Sequence, residues 1–185
     1  MMDKKSAKIT WKDVKAILVK SNPDGLLALI QQLYALSENN QRFIHTRYGL
    51  GDLLRPFKEQ IEANISPDVM ASDEEFSIAR ARKAISEYRK ATDDSVGTLD
   101  LMIYFVECGT RHTLEYGNMW EEYYDSLESM FARAVKALRE MDAKTVRVFL
   151  PRLENLVRDT NGMGWGYHDS LMDALLETFP DADIE

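Results

Sequence analysis

The residues best suited to bind or react with a ligand lie in one glycine-rich loop, Asn161-Gly162-Met163-Gly164-Trp165-Gly166-Tyr167-His168-Asp169. Glycines let the backbone approach a ligand, Trp165 and Tyr167 offer amphipathic contact surface, and His168 beside Asp169 can titrate near neutral pH. The same residues also suit a structural loop, in which Trp165 packs on the core and Asp169 or Ser170 caps the next helix. The pattern favours the structural interpretation and leaves a binding site as the alternative.

A second candidate is an aromatic cluster flanked by glutamates, formed by Tyr116, Trp120, Tyr123 and Tyr124. Tyrosine and tryptophan supply contact area, and acidic neighbours steer cationic partners, so the cluster could bind a basic peptide. Trp120 and Tyr124 are therefore candidate binding residues, although such a stripe is more often part of a core.

Cys108, His112 and Glu115 share one face of a predicted helix, and all three are residue types that bind zinc or iron. The chain has only 3 histidines and no paired Glu-x-x-His motif, which argues against a di-iron bundle. We predict a buried structural cysteine beside a surface His-Glu pair, and no metal.

Basic residues are concentrated on one predicted helix, where Arg82 and Arg89 are seven residues apart and could hold phosphates on a shared face. Acidic residues on the same helix, such as Glu87, favour a solvated surface with ion pairs instead. The net charge of -8 also disfavours nucleic acid as a partner.

Familiar catalytic motifs are missing from the sequence. It contains no G-x-S-x-G, no phosphate-binding G-x-x-x-x-G-K-[ST], no H-E-x-x-H, and no strand before Gly162 that would make a dinucleotide-binding loop. We therefore predict no catalytic residue and no cofactor, and the sequence leans away from an enzyme.

Composition is that of an ordinary globular chain, with 185 residues, 45% of them hydrophobic. The single cysteine excludes an internal disulfide and fits a reducing compartment, so we expect a cytoplasmic protein. The start of the sequence does not read as a secretory signal, and the apolar run Leu99–Val106 is too short to span a bilayer. We expect no membrane association.

Helical periodicity runs through the whole sequence. Apolar residues recur at spacings of three and four, most clearly from Trp120 to Leu138. Leu99–Val106 is apolar nearly all round, which is typical of a central helix. The pattern predicts an all-α fold of about eight to nine helices, either an irregular bundle or a short HEAT-like stack of helix pairs.

Helix starts are predicted at capping residues: Thr10 with Asp13, Asn22 before Pro23, Ser72 before three acids, Asp93 to Ser95, Asn118, and Asp142. Val146–Leu150 could pass for a strand, but the length of its apolar pattern favours a helix.

One internal echo relates Tyr123-Tyr124-Asp125-Ser126-Leu127 to Tyr167-His168-Asp169-Ser170-Leu171. The number of residues between the two similar segments falls within the period of helical repeats, about 40 to 47 residues. A second pair of similar segments has a different spacing. A strict repeat array is not supported. We predict one all-α domain over residues 1–185, with a soft division near 92–95 as the alternative.

The stretch Asp159–Asp169, with its Gly-Trp-Gly-Tyr-His-Asp sequence, resembles a bacterial all-helical family known as a domain of unknown function. Leu26–Tyr34 and Tyr123–Phe131 support the resemblance, which covers most of the chain. It implies an all-α fold, and it carries over no catalytic residue.

Two functions remain open from the sequence. The first is an interaction or scaffold module that binds a protein partner or self-associates. The alternative is a small-molecule-binding protein or an enzyme without a familiar motif, using the loop Gly162–Asp169.

Overall fold

The chain is seen in a computed structural model that describes residues 9–67, 76–164 and 166–184. Over these residues it is entirely helical, which confirms the predicted all-α class and the expected number of helices. The nine described helices are α1 Trp11–Leu18, α2 Pro23–Leu36, α3 Glu38–Arg47, α4 Arg55–Ile65, α5 Ile78–Ala91, α6 Ser95–Tyr116, α7 Glu121–Arg139, α8 Ala143–Asp159 and α9 Tyr167–Thr178. None of these helices is long and apolar enough to cross a membrane.

Two compact units make up the chain, Met1–Ile44 and His45–Glu185. The first contains α1, α2 and most of α3, and the second contains α4 to α9. Helices α5 and α6, which flank residues 92–95, pack together within the second unit. A single domain over the whole chain stays a prediction.

In the first unit, α1 and α2 begin at the capping residues predicted from the sequence. The Thr10 backbone N–H donates to Asp13 Oδ2 at 2.8 Å, and the Asn22 side chain accepts from the Gly25 N–H at 2.7 Å. Pro23 occupies the first turn of α2, where its missing N–H costs no hydrogen bond. Local chemistry therefore accounts for these two helix starts.

Helix α6 is the centre of the second unit and packs against α4, α5, α7 and α8. Leu99, Ile103, Phe105 and Val106 on it are fully buried. A helix that is apolar nearly all round must bury every face, and four neighbours do that here. The expectation of a central helix at Leu99–Val106 is confirmed.

Close approach of α6 and α7 depends on Gly109. A Cβ atom at this position would lie 2.4 Å from Leu127 Cδ2, so the buried Leu127 side chain or α7 itself would have to shift. Glycine is thus required by the packing of α7 rather than by a turn.

Two helix starts in the second unit follow the sequence. Asp94 accepts from the Gly97 N–H at 2.8 Å, and Asp142 accepts from the Thr145 N–H at 2.7 Å. Asn118 was expected to cap α7, and this is wrong, because the N-cap position is held by Trp120. The predicted start at Ser72 lies outside the described residues.

Val146–Leu150 lies within α8 and is helical, so the strand alternative is excluded and the argument from length is confirmed.

Candidate functional site

The glycine-rich loop joins α8 to α9. Gly162 and Gly166 have φ values of 82° and 70°, in the left-handed region that favours glycine, and Gly166 is the N-cap of α9. Helix α9 begins at Tyr167, ahead of Asp169 and Ser170, so neither of the latter is the cap. Trp165 lies outside the residues that the structure describes.

Tyr167 and Tyr124, two of the candidate binding residues, meet in the core. Both are buried, their ring centroids are 5.1 Å apart, and the Tyr167 hydroxyl lies 2.9 Å from Thr110 Oγ1. Burial raises the pKa of Tyr167 above its ordinary value. The Tyr124 hydroxyl accepts from the Met119 N–H at 3.2 Å. Both rings hold α6, α7 and α9 together.

His168 lies half-buried at the start of α9, and its Nδ1 is 3.1 Å from the Val157 carbonyl and 3.1 Å from Thr160 Oγ1. The ring therefore ties α9 to the last turn of α8. Asp169, its neighbour in sequence, is exposed.

Trp120 lies at the surface and is 43% exposed. Its ring packs edge-on against Phe76, with centroids 5.4 Å apart, and at a tilt against Tyr123, with centroids 5.3 Å apart. The aromatic cluster therefore runs from an exposed tryptophan to two buried tyrosines.

The possible metal ligands on α6 are separated by burial. Cys108 and His112 are both buried, while Glu115 is exposed. Burial raises the pKa of the Cys108 thiol to about 11 and lowers that of His112. His112 Nδ1 lies 3.1 Å from Ser66 Oγ. The cysteine is buried as predicted, whereas the expectation of a surface histidine is wrong because Phe76 and Ser66 cover the ring.

In the described part of the chain, no group of three or more His, Cys, Asp or Glu side chains is placed to hold a metal ion.

A charged network that the sequence did not indicate lies between α4, α6 and α8. Arg152 donates from Nε to Glu107 Oε1 at 2.8 Å and from Nη1 to Asp100 Oδ1 at 2.5 Å. Lys58 Nζ is 2.7 Å from Asp100 Oδ2. Burial acts to raise the pKa of Asp100, but hydrogen bonds from Lys58 and Arg152 outweigh it and leave the pKa below its ordinary value. These pairs join three helices.

Three arginines line one cavity of about 230 Å³ between α5, α6 and α7, which we call the arginine cavity. Arg82 and Arg89 come from α5, as their spacing of seven residues indicated, and Arg133 comes from α7. Met102 and Met130 form apolar parts of its wall. The sequence offered no signal that Arg133 would join the other two.

An adjoining cavity of about 470 Å³ shares Arg89 and Met102 with the arginine cavity. Its polar wall includes Thr92, Ser95 and three acidic residues, Asp93, Asp94 and Glu140. Neither of these two cavities is lined by the predicted loop residues Tyr167, His168 and Asp169, or by Trp120 and Tyr124.

Apolar side chains in the first unit are exposed to an unusual degree. None of residues 9–44 is buried, and Trp11, Leu27 and Leu36 are 68%, 63% and 77% exposed. On α2, Leu27, Ile30 and Leu33 recur every three residues along one side, which we call the apolar stripe. Isolated exposed leucines are common, but a continuous apolar stripe is typical of an interaction surface.

Fold and sites together define an all-α protein whose second unit is built around one central helix. Comparison with protein-family models, with curated proteins and with solved structures found no match. The resemblance drawn from Asp159–Asp169 stays a prediction.

Proposed function

We propose that this chain is a helical interaction module that self-associates, with the apolar stripe of α2 and the exposed residues Trp11, Val14 and Ile17 of α1 as the contact surface. The observation that carries the proposal is that these two helices have no buried residue. Helices in proteins owe most of their stability to packing of an apolar face. A second copy would supply that packing.

The length of the helices supports the proposal. Helices α1 and α2 have 8 and 14 residues, and isolated helices shorter than about 12–15 residues are marginal in water. Burying apolar surface contributes about 25 cal/mol per Å². Contact along Leu27, Ile30 and Leu33 would therefore stabilise both the helix and the assembly.

The charge pattern favours a second copy over a partner of opposite charge. Asp24 is the only charged residue of α2, so the stripe carries no charge that would select such a partner. An uncharged apolar stripe is complementary to itself, which is the requirement of a two-fold symmetric contact. The neighbouring helices of the first unit carry exposed charges of both signs, with Lys12 and Lys15 on α1 and Glu38 on α3.

The test is sedimentation equilibrium of the full chain from low to high micromolar concentration. Leu33→Glu places a charge in the stripe, and Gln32→Glu places the same charge at an exposed polar position of the same helix. We expect the wild type and Gln32→Glu to associate and Leu33→Glu to remain monomeric. A wild type that is monomeric throughout, or a Leu33→Glu variant that associates equally well, contradicts the proposal.

Small-molecule binding at the loop Gly162–Asp169 has less support. Tyr167 is buried, and the His168 ring contacts the Val157 carbonyl of α8. Among the described residues at the start of α9, only Gly166 and Asp169 are exposed. A ligand screen by thermal denaturation, with His168→Ala as the comparison, would reveal such a site as a stabilisation that only the wild type shows.

A further inference from the structure

The arginine cavity concentrates positive charge in a small concave space. Arg82, Arg89 and Arg133 all line a volume of about 230 Å³, although they come from two helices. Like charges that share one cavity repel one another, and the repulsion is stronger next to the apolar walls formed by Ile85 and Met130. Such an arrangement is favourable when an anion lies among the three groups.

In the described part of the chain, none of the three arginines forms an ion pair with a carboxylate, although Asp93, Asp94 and Glu140 line the adjoining cavity beside Arg89. The ion pairs recorded there involve other arginines and lysines, among them Lys83, which pairs with Glu87 on the same helix. The described wall of the arginine cavity contains no acidic residue; its remaining polar residue is Ser86. A single surface arginine usually needs no ion-pair partner, but three arginines that share one cavity repel one another.

Arg82 is held in place without being neutralised. It is half-buried, and its Nη2 donates to the Ser126 carbonyl at 3.3 Å. Its Nε is buried and has no hydrogen-bond partner among the described residues. A charged group that is partly removed from water and lacks an anion is costly, and structures keep such groups at binding sites.

Three guanidinium groups are well suited to bind one phosphate. Each presents a planar fork of N–H donors that binds phosphate oxygens in pairs, and a terminal phosphate has three oxygens to offer. The Ser86 hydroxyl adds a neutral donor at the wall. The chain's net charge of -8 opposes a long polyanion, whereas a single phosphate entering a local positive cavity escapes most of that repulsion.

The adjoining cavity has room for the rest of a ligand. It is about twice as large and shares Arg89 with the arginine cavity. The hydroxyl groups of Thr92 and Ser95 and the carboxylates of Asp93, Asp94 and Glu140 line it. These groups can accept hydrogen bonds from hydroxyl or amine groups of a ligand. We infer that the two cavities together bind a small phosphomonoester, with its phosphate among Arg82, Arg89 and Arg133 and its polar organic part in the adjoining cavity.

The binding test uses inorganic phosphate and glycerol 3-phosphate as probes, with glycerol and sodium chloride at equal ionic strength as references. Isothermal titration calorimetry and thermal denaturation of the full chain give affinity and stabilisation independently. We expect saturable binding of both phosphates, with glycerol 3-phosphate at least tenfold tighter because it also reaches the adjoining cavity.

Three variants distinguish binding at the arginine cavity from a general effect of positive charge on phosphate binding. Arg133→Gln and Arg89→Gln remove exposed side chains of the arginine cavity and should keep the fold, whereas Arg80→Gln removes an exposed charge of α5 that does not line it. We expect the two cavity variants to bind phosphate at least tenfold more weakly and Arg80→Gln to bind like the wild type. Because Arg82 is half-buried, Arg82→Gln serves only as a further check.

Several outcomes would overturn the inference. One is equal phosphate affinity in Arg133→Gln, Arg89→Gln and Arg80→Gln. Another is stabilisation by sodium chloride as large as that by phosphate at the same ionic strength. A third is tight, salt-sensitive binding of a single-stranded oligonucleotide that phosphate does not displace, which would make the surface a nucleic-acid interface. None of these results depends on whether the chain self-associates.

Discussion

The Tyr123 hydroxyl donates a hydrogen bond of 2.7 Å to the backbone carbonyl of Ile65, and this bond joins α7 to the last residue of α4. Both groups are buried. The contact spans 58 positions of the sequence and fastens the end of α4 against the centre of the second unit.

Tyr123→Phe should destabilise the fold, because it leaves the Ile65 carbonyl buried without its donor. The expected loss is about 1–3 kcal/mol of unfolding free energy, the usual cost of an unsatisfied buried polar group. Urea denaturation measures it, and Tyr116→Phe, at an exposed position of α6, is the matched control. Equal stability of the two variants would show that the bond contributes nothing.

Gly109→Ala should destabilise the protein even though alanine favours helices. The new Cβ would lie 2.4 Å from Leu127 Cδ2, and overpacking of a core typically costs about 1–3 kcal/mol. Combining it with Leu127→Ala should restore part of the loss, so that the double variant is less destabilised than the sum of the single ones. Additive effects in thermal or urea denaturation would argue against a clash between these residues.

Asp100→Asn should weaken stability in a pH-dependent way. Its pKa is depressed in the fold from 3.8, so the charged form stabilises the protein fully above that ordinary value. As the pH falls through the lower folded-state pKa, the carboxylate is protonated and this contribution is lost. The difference between wild type and Asp100→Asn should be about 1.5–3 kcal/mol at neutral pH and shrink under acid conditions.

Urea denaturation of both proteins from pH 7 downwards measures that difference. Asp169→Asn, at an exposed position of α9, is the control for removal of a carboxylate. A difference that stays constant into the acid range would mean that Asp100 is not stabilised by its ion pairs with Lys58 and Arg152.

Cys108 should resist thiol reagents in the native protein. It is buried, and its pKa of about 11 leaves little thiolate at mildly alkaline pH. We expect a chromogenic disulfide reagent to react only as fast as the protein unfolds, and to react completely in denaturant. Rapid reaction of the folded chain would mean that the packing around α6 opens far more often than its burial indicates.

Local signals in the sequence determined the class of fold and several helix starts. Thr10 with Asp13, Asn22 with Pro23, and Asp142 act on backbone groups within three residues of themselves, so their role can be predicted without the tertiary structure. Asn118 shows where this reasoning stops, because the Tyr124 hydroxyl lies 3.4 Å from its Oδ1 and the cap position falls at Trp120.

Burial of individual residues was harder to predict. The spacing of Cys108, His112 and Glu115 put them on one side of a helix, but it could not say that Phe76 and Ser66 would cover His112. The loop residues Tyr167 and His168 likewise owe their positions to α7 and α8. What covers a residue depends on helices remote in sequence.

The sequence by itself therefore determined the helical character of the chain, the central place of Leu99–Val106 and the shared face of Arg82 and Arg89, because each follows from spacing within one helix. Only the tertiary structure brought Arg133 to that face, joined Asp100 to Arg152, and left the apolar stripe of α2 exposed. These relationships depend on how separate helices pack, and packing is decided by shape and charge complementarity over the whole unit rather than by neighbouring residues.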